Sequence, residues 1–129
     1  MQNKVFLDAN ILLEILLERK NINVAKKILN KYDGNLYIST LTAHLIAHFG
    51  LQFVDMPTVK LFLSDYYIES LTDNDFDWAF SNARSKDFED SLQLSVAIRS
   101  GCNLFITFDK QLYELYKSLP TIKVKLIRP

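Results

Sequence analysis

Val5-Phe6-Leu7-Asp8-Ala9-Asn10-Ile11-Leu12-Leu13 is the stretch on which the fold turns. Val5-Phe6-Leu7 is apolar throughout and too short for a helix, so it reads as a buried strand. Asn10 then offers an N-cap for a helix carrying Ile11, Leu12, Ile15 and Leu16. A strand yielding at once to a helix, with Asp8 at the joint, opens an α/β unit.

The same alternation continues outward. A second helix has Val24, Ala25, Ile28 and Leu29 on one face, with Lys26, Lys27 and Lys31 elsewhere. Asp33-Gly34-Asn35 signals a turn into strand Leu36-Tyr37-Ile38. Ser39 or Thr40 can cap a helix through Leu41, Leu45, Ile46 and Phe49 to Gly50, and another helix is expected near Thr58 to Tyr66. Tyr67–Leu71 reads as a short strand. Thr72 or Asp73 opens a helix with Phe76, Trp78, Ala79 and Phe80; Asp87 caps one that packs Phe88, Leu92, Val96 and Ala97 and stops at Gly101. Strand Leu104-Phe105-Ile106, a helix near Gln111 to Lys117, and an alternating edge strand Val124–Ile127 complete the chain. Strands separated by helices imply a parallel α/β sheet with right-handed crossovers. At 129 residues, without a repeat, linker or low-complexity segment, residues 1–129 read as one domain.

Composition narrows the function classes. A chain 49% hydrophobic and 12% aromatic is too apolar for disorder. No apolar run approaches the roughly 20 residues that span a bilayer, so no membrane is expected. Asp8 and Asn10 interrupt the pattern of a signal peptide, which makes the cytoplasm the expected compartment. The lone Cys102 excludes an internal disulfide and reads as a small buried residue. Fifteen basic residues balance fifteen acidic ones, yet their distribution is uneven. Bases cluster early (Arg19, Lys20, Lys26, Lys27, Lys31) and late (Lys110, Lys117, Lys123, Lys125, Arg128), with acids crowding the middle. A basic rim around an acidic centre suits a phosphodiester; solvated helix faces are the plain alternative.

Asp8, Asp90 and Asp109 each stand at a junction between a strand and a helix or at a helix start. Parallel strands would bring those junctions to one sheet edge, where open α/β folds place ligands. Each acid alone also has a structural reading as a helix cap or a dipole partner. Asp87 shares a helix face with Asp90, three residues on, whereas Glu89 points off that face and reads as surface charge. Gathered carboxylates repel, and a hard divalent cation is the usual remedy. His44 and His48 have the spacing of a zinc pair, but Leu45 replaces the expected Glu and the chain has no third His. No Gly-rich phosphate loop or Gly-x-Ser-x-Gly elbow is present. Tyrosines can stack on bases, though core and rim positions explain them as well.

Three stretches together resemble the PIN-domain family, close to VapC-type toxin ribonucleases. They are Val5–Leu13, then Asp87-Phe88-Glu89-Asp90-Ser91-Leu92-Gln93, then Leu104-Phe105-Ile106-Thr107-Phe108-Asp109-Lys110. Ile38–Ala43 also resembles the family's lead into its third helix. The resemblance implies an α/β/α sandwich around a parallel sheet of about five strands in order 3-2-1-4-5. It implies Mg²⁺- or Mn²⁺-dependent RNA cleavage, with Asp8, Asp90 and Asp109 as catalytic metal ligands and Asp87 as an additional acid. Asn10 and Thr107 match supporting positions. It further implies an RNA substrate, a small antitoxin protein as partner, and a homodimer. Leu45 stands where many relatives carry Glu, so either Asp87 makes up the charge or the centre is weakened. The alternative is therefore a catalytically weak PIN module acting by protein or RNA binding. A phosphohydrolase with a strand-end Asp nucleophile would need its second Asp at Asn10, and a receiver domain lacks its expected acid pair.

Overall fold

Val5 and Leu7 face one side of the central sheet and Phe6 the other, because successive strand residues alternate. In the computed structural model, which describes residues 3–128, that alternation feeds two cores. Val5, Leu7, Leu36, Ile38, Leu104 and Ile106 pack with Ile11, Leu12, Ala25, Ile28 and Ile46. On the opposite face, Phe6, Phe105 and Val124 pack with Leu94, Val96, Ala97, Leu112 and Tyr116. Phe6 and Phe105 stack there with centroids 5.6 Å apart. Each fully buried aliphatic or aromatic side chain of this kind contributes about 1.5–3 kcal/mol relative to exposure.

The strands are β1 (Val5–Leu7), β2 (Leu36–Ser39), β3 (Tyr67–Glu69), β4 (Leu104–Thr107) and β5 (Lys123–Leu126). They pair in parallel in the order β3-β2-β1-β4-β5, which is the expected arrangement. Helices α1 (Ala9–Leu16), α2 (Ile22–Lys31), α3 (Thr40–Gly50) and α4 (Met56–Leu63) lend side chains to the first core. Helices α5 (Asp73–Asn82), α6 (Phe88–Arg99) and α7 (Lys110–Tyr116) lend theirs to the second. The result is a three-layer α/β/α sandwich. No helix among the described residues is long and apolar enough to cross a membrane. Met1, Gln2 and Pro129, which the single-domain expectation included, lie outside the described residues.

Several boundaries differ from the sequence expectation for identifiable reasons. Helix α1 begins at Ala9, so Asp8 rather than Asn10 occupies its N-cap position. Helix α4 starts before Thr58 because Asp55 caps it through the Thr58 N–H at 3.0 Å, and Pro57 fits in its first turn. Ser39 is the cap of α3, accepting from the Thr42 N–H at 3.1 Å. Gly101, at φ +76°, ends α6 as expected: its N–H bonds Ile98 and the Cys102 N–H bonds Ala97, satisfying two terminal carbonyls.

An ion pair between a buried carboxylate and an exposed guanidinium fastens α5 to α6. Asp75 is fully buried and accepts from Arg99 Nε and Nη2, each at 3.1 Å, and from the Ser95 hydroxyl at 2.8 Å. Its second oxygen also receives the Thr72 N–H at 2.8 Å, closing the first turn of α5. Burial raises the Asp75 pKa, but Arg99, Thr72 and Ser95 outweigh it and hold the carboxyl below the usual range. Arg99→Ala is expected to leave this carboxylate with only Ser95 and Thr72 as donors and cost about 1–2 kcal/mol of unfolding free energy, measured by urea denaturation near neutral pH. Because the folded pKa is lowered, the penalty shrinks as pH falls through the carboxylate range; a penalty independent of pH would contradict the assignment.

Candidate functional site

Asp8 follows the last residue of β1 and is nearly buried, yet its side chain makes no capping bond to α1. Its Oδ2 is committed elsewhere. The Thr107 hydroxyl, at the end of β4, donates to it at 2.7 Å, and Asn10 Nδ2 donates at 3.2 Å. Asn10 Nδ2 also reaches Thr107 Oγ1 at 3.3 Å, while its Oδ1 accepts from the Phe108 N–H at 3.3 Å. Thr107 Oγ1 accepts the Asp109 N–H at 2.9 Å. Asn10 and Thr107 thus bind the ends of β1 and β4 into one polar unit that fixes Asp8. This is an orienting arrangement rather than a helix cap.

Asp109 has the structural role that the sequence left open. Its Oδ1 caps α7 through the Gln111 and Leu112 N–H groups at 2.9 and 3.2 Å. Its other oxygen receives no hydrogen bond among the described residues. Asp87 occupies the N-cap position of α6 without capping it through its side chain. Asp90, in the first turn of α6, has no hydrogen-bond donor or cationic partner among the described residues. The N-terminal part of α6 is held from both sides. Ser91 pairs with the Tyr116 hydroxyl at 2.9 Å. Gln93 accepts from the Ser39 hydroxyl at 2.6 Å and donates to Thr42 Oγ1 at 2.7 Å. All five of these residues are buried.

The electrostatics show that the acids share one field. Burial pushes the Asp8 carboxyl up to about 6; Thr107 and the Ala9 N–H oppose that rise, whereas Glu89 and Asp109 add to it by repulsion. Asp90 is pushed up to about 8, first by burial and then by Asp8, Asp87, Asp109 and Glu89. Glu89 itself is raised by burial and by Asp87. The reading of Glu89 as ordinary surface charge therefore needs correction: it is half-buried and repels both Asp8 and Asp90. Its adjacency to Asp90 was a signal, but a helix wheel places it off the Asp87–Asp90 face. Burial at the mouth of the sheet overrides that geometry.

The sheet edge thus brings Asp8, Asp87, Glu89, Asp90 and Asp109 together. Among the described residues, however, no group of three or more His, Cys, Asp or Glu side chains is drawn up to hold an ion as it stands. The carboxylates converge but remain apart, as like-charge repulsion favours. Their chemistry fits a hard divalent cation: all donors are carboxylate oxygens, and Asp90 and one oxygen of Asp109 carry no competing hydrogen bond. Helix α3 contributes no acid, since Leu45 stands there half-buried. His44 and His48 are exposed, their rings 6.2 Å apart.

A family model described as the PIN domain matches residues 5–118. None of the curated protein sequences matches the chain. Among solved structures, a chain of a toxin–antitoxin complex from Klebsiella pneumoniae superposes with a TM-score of 0.74 at 17% identity, covering 95% of this chain and 99% of that one. VapBC from Salmonella typhimurium, bound to DNA, gives 0.66 at 14% identity over 95% of this chain and 97% of that one. VapBC2 from Rickettsia felis, bound to a DNA fragment from their promoter, gives 0.64 at 14% identity over 96% and 98%. At such identities the likeness establishes the fold.

The raised carboxyls carry a stability consequence. Above about pH 4 the folded chain retains a proton on Asp8 up to about pH 6, and on Asp90 up to about pH 8, that the unfolded chain has released. Their contribution to stability therefore falls as pH rises through that window. Asp90→Asn is expected to raise the unfolding free energy at pH 8 by about 1 kcal/mol and leave it nearly unchanged at pH 4. Denaturant titrations at both pH values measure this, and equal effects at both would contradict it.

Proposed function

The chain belongs to the PIN domain family, and from that premise we propose that it is a metal-dependent endoribonuclease, the toxin of a toxin–antitoxin pair. Members of the family are generally nucleases. The observation that carries the reading is the convergence of five acids on one sheet edge, with Asp8 oriented by Asn10 and Thr107 instead of being consumed in a cap.

Asp8, Asp90 and Asp109, with Asp87 and Glu89 beside them, would hold Mg²⁺ or Mn²⁺. When bound, such an ion supplies positive charge that stabilises the negative charge developing on a phosphodiester during hydrolysis. The chain's own residues do the rest. Thr107 and Asn10 keep one face of the Asp8 carboxylate occupied, so its remaining oxygen presents in a fixed direction. Ser91 and Gln93 lock the N-terminal half of α6 and so set where Asp90 stands. Asp90 holds a proton on its carboxyl near neutral pH and must give it up to act as a ligand. Glu89 restores the negative charge that Leu45 withholds from α3. The antitoxin complexes among the structural neighbours support a small protein partner, and a homodimer is part of the same proposal. We assign residues 1–129 to one such domain, acting in the cytoplasm.

A second reading, a PIN module that works by binding, is favoured by Leu45 alone. Purified protein separates the two. Single-stranded RNA should be cut in Mg²⁺ or Mn²⁺ and spared in EDTA. Asp8→Asn and Asp90→Asn should each lose about 100-fold or more in rate, and Glu89→Gln about 10-fold. Retained cleavage by both aspartate variants would remove the site. Calorimetry with Mn²⁺ in buffers of different ionisation enthalpy should also reveal proton release on binding, diminished in Asp90→Asn. No metal uptake by the wild type would favour the binding module.

A further inference from the structure

The acidic edge repels the backbone of any nucleic acid, so a nuclease reading requires cations placed to hold the strand. The late basic residues stand on β5, at either end of α7 and just beyond β5. They line three adjoining clefts along the β5 edge of the sheet, where α7 packs over the last strand. The first cleft, about 270 Å³, is lined by Phe108, Lys110, Ile127 and Arg128. It shares Leu126 and Arg128 with a second, about 180 Å³, which adds Tyr113, Lys123 and Lys125. That cleft shares Lys123 with a third, about 370 Å³, reaching Asn103 and Lys117.

This track starts at the candidate site. The Ile127 N–H donates to the Thr107 carbonyl at 2.9 Å, and Phe108 and Lys110 flank Asp109 in the chain. Glu114 pairs with Lys117 at 2.7 Å, and Lys110 and Arg128 act on its carboxyl more weakly. Lys110, Lys123, Lys125 and Arg128 have no carboxylate partner within 4.0 Å among the described residues. Phe108 and Tyr113 are half-buried beside these cations, and Lys117 lies over the Tyr113 ring, 5.7 Å from its centroid. Cations spaced along a groove, interleaved with aromatic faces, are the physical requirements for single-stranded nucleic acid.

We infer that the α7–β5 groove is the path of the single-stranded RNA, its phosphates on Lys110, Arg128, Lys125 and Lys123 and its bases against Phe108 and Tyr113. The inference rests on the ribonuclease reading for the identity of the strand, but binding can be tested without cleavage. The probe is a fluorescein-labelled single-stranded RNA of mixed sequence, kept intact in EDTA and followed by anisotropy across a range of KCl concentrations.

Two double variants, Lys110→Gln with Arg128→Gln and Lys123→Gln with Lys125→Gln, remove exposed or half-exposed charge and keep side-chain length. Each should weaken binding about tenfold or more at about 0.1 M salt and flatten the log–log salt slope by about 1.4. Lys26→Gln with Lys27→Gln, on exposed positions of α2, should change neither quantity. Wild-type affinity and slope in both track variants would overturn the inference, as would an equal loss in the α2 control or no RNA binding by the wild type. Equal competition by an oligoglutamate of matched charge would assign the groove to acidic protein segments and overturn it too. A wild type that binds through the groove but never cuts in Mg²⁺ or Mn²⁺ removes the nuclease reading alone.

Discussion

A carboxylate taken out of water must find hydrogen-bond donors or give up its charge. Asp8 does some of each. Thr107 and Asn10 supply donors to one of its oxygens, and its pKa climbs because those donors do not fully offset burial. The geometry of the remaining site follows from this local settlement. Thr107 belongs to β4 and Asp8 follows β1, so their hydrogen bond exists only because those strands are parallel neighbours. The same threonine receives the Asp109 N–H, which draws the start of α7 into the unit.

A second layer of buried hydroxyl and amide contacts positions the other half of the site. Ser39 caps α3 and also donates to Gln93, so one hydroxyl joins the end of β2 to the middle of α6. Tyr116 reaches Ser91 from α7, and the Arg99–Asp75 pair braces α6 against α5. Helix α6 is therefore held at three points along its length. Such a helix can present several acids in its first turn despite their repulsion, since moving away would break buried polar contacts. Glu89 shows the consequence: with no hydrogen-bond or cationic partner among the described residues, it is kept half-buried where it repels Asp8 and Asp90.

Neutral overall charge conceals a strong separation in space. Acids occupy the carboxyl edge of the central strands, and cations line the flank of β5. At physiological ionic strength, fields decay over about 8 Å, so neighbouring regions of opposite sign act nearly independently. A polyanion can thus be held by one region while its phosphate is presented to the other. Helix α3 adds no negative charge to this arrangement, because Leu45 stands there, and Glu89 lies half-buried where it repels Asp8 and Asp90.

How much of this was legible beforehand depends on range. The strands, the βα junctions and the three stretches carrying Asp8, Asp90 and Asp109 could be read from short apolar runs and their flanking residues, whereas the strand order followed only from the family resemblance. Such runs bury on both faces wherever they lie in a parallel sheet. The roles of individual acids could not be read that way. Asp8, Asp87 and Asp109 all occupy N-cap positions, yet only Asp109 caps with its side chain; the difference for Asp8 lies in Thr107, ninety-nine residues distant. Likewise the helix wheel turned Glu89 outward, whereas the packing of α6 against the sheet edge turned it in. Local pattern determines which segments become strands and helices, because that choice is made by backbone period and apolar spacing. Tertiary structure alone decides which carboxylates lose water, which gain donors and which repel, because those energies depend on neighbours that the chain brings together only when folded.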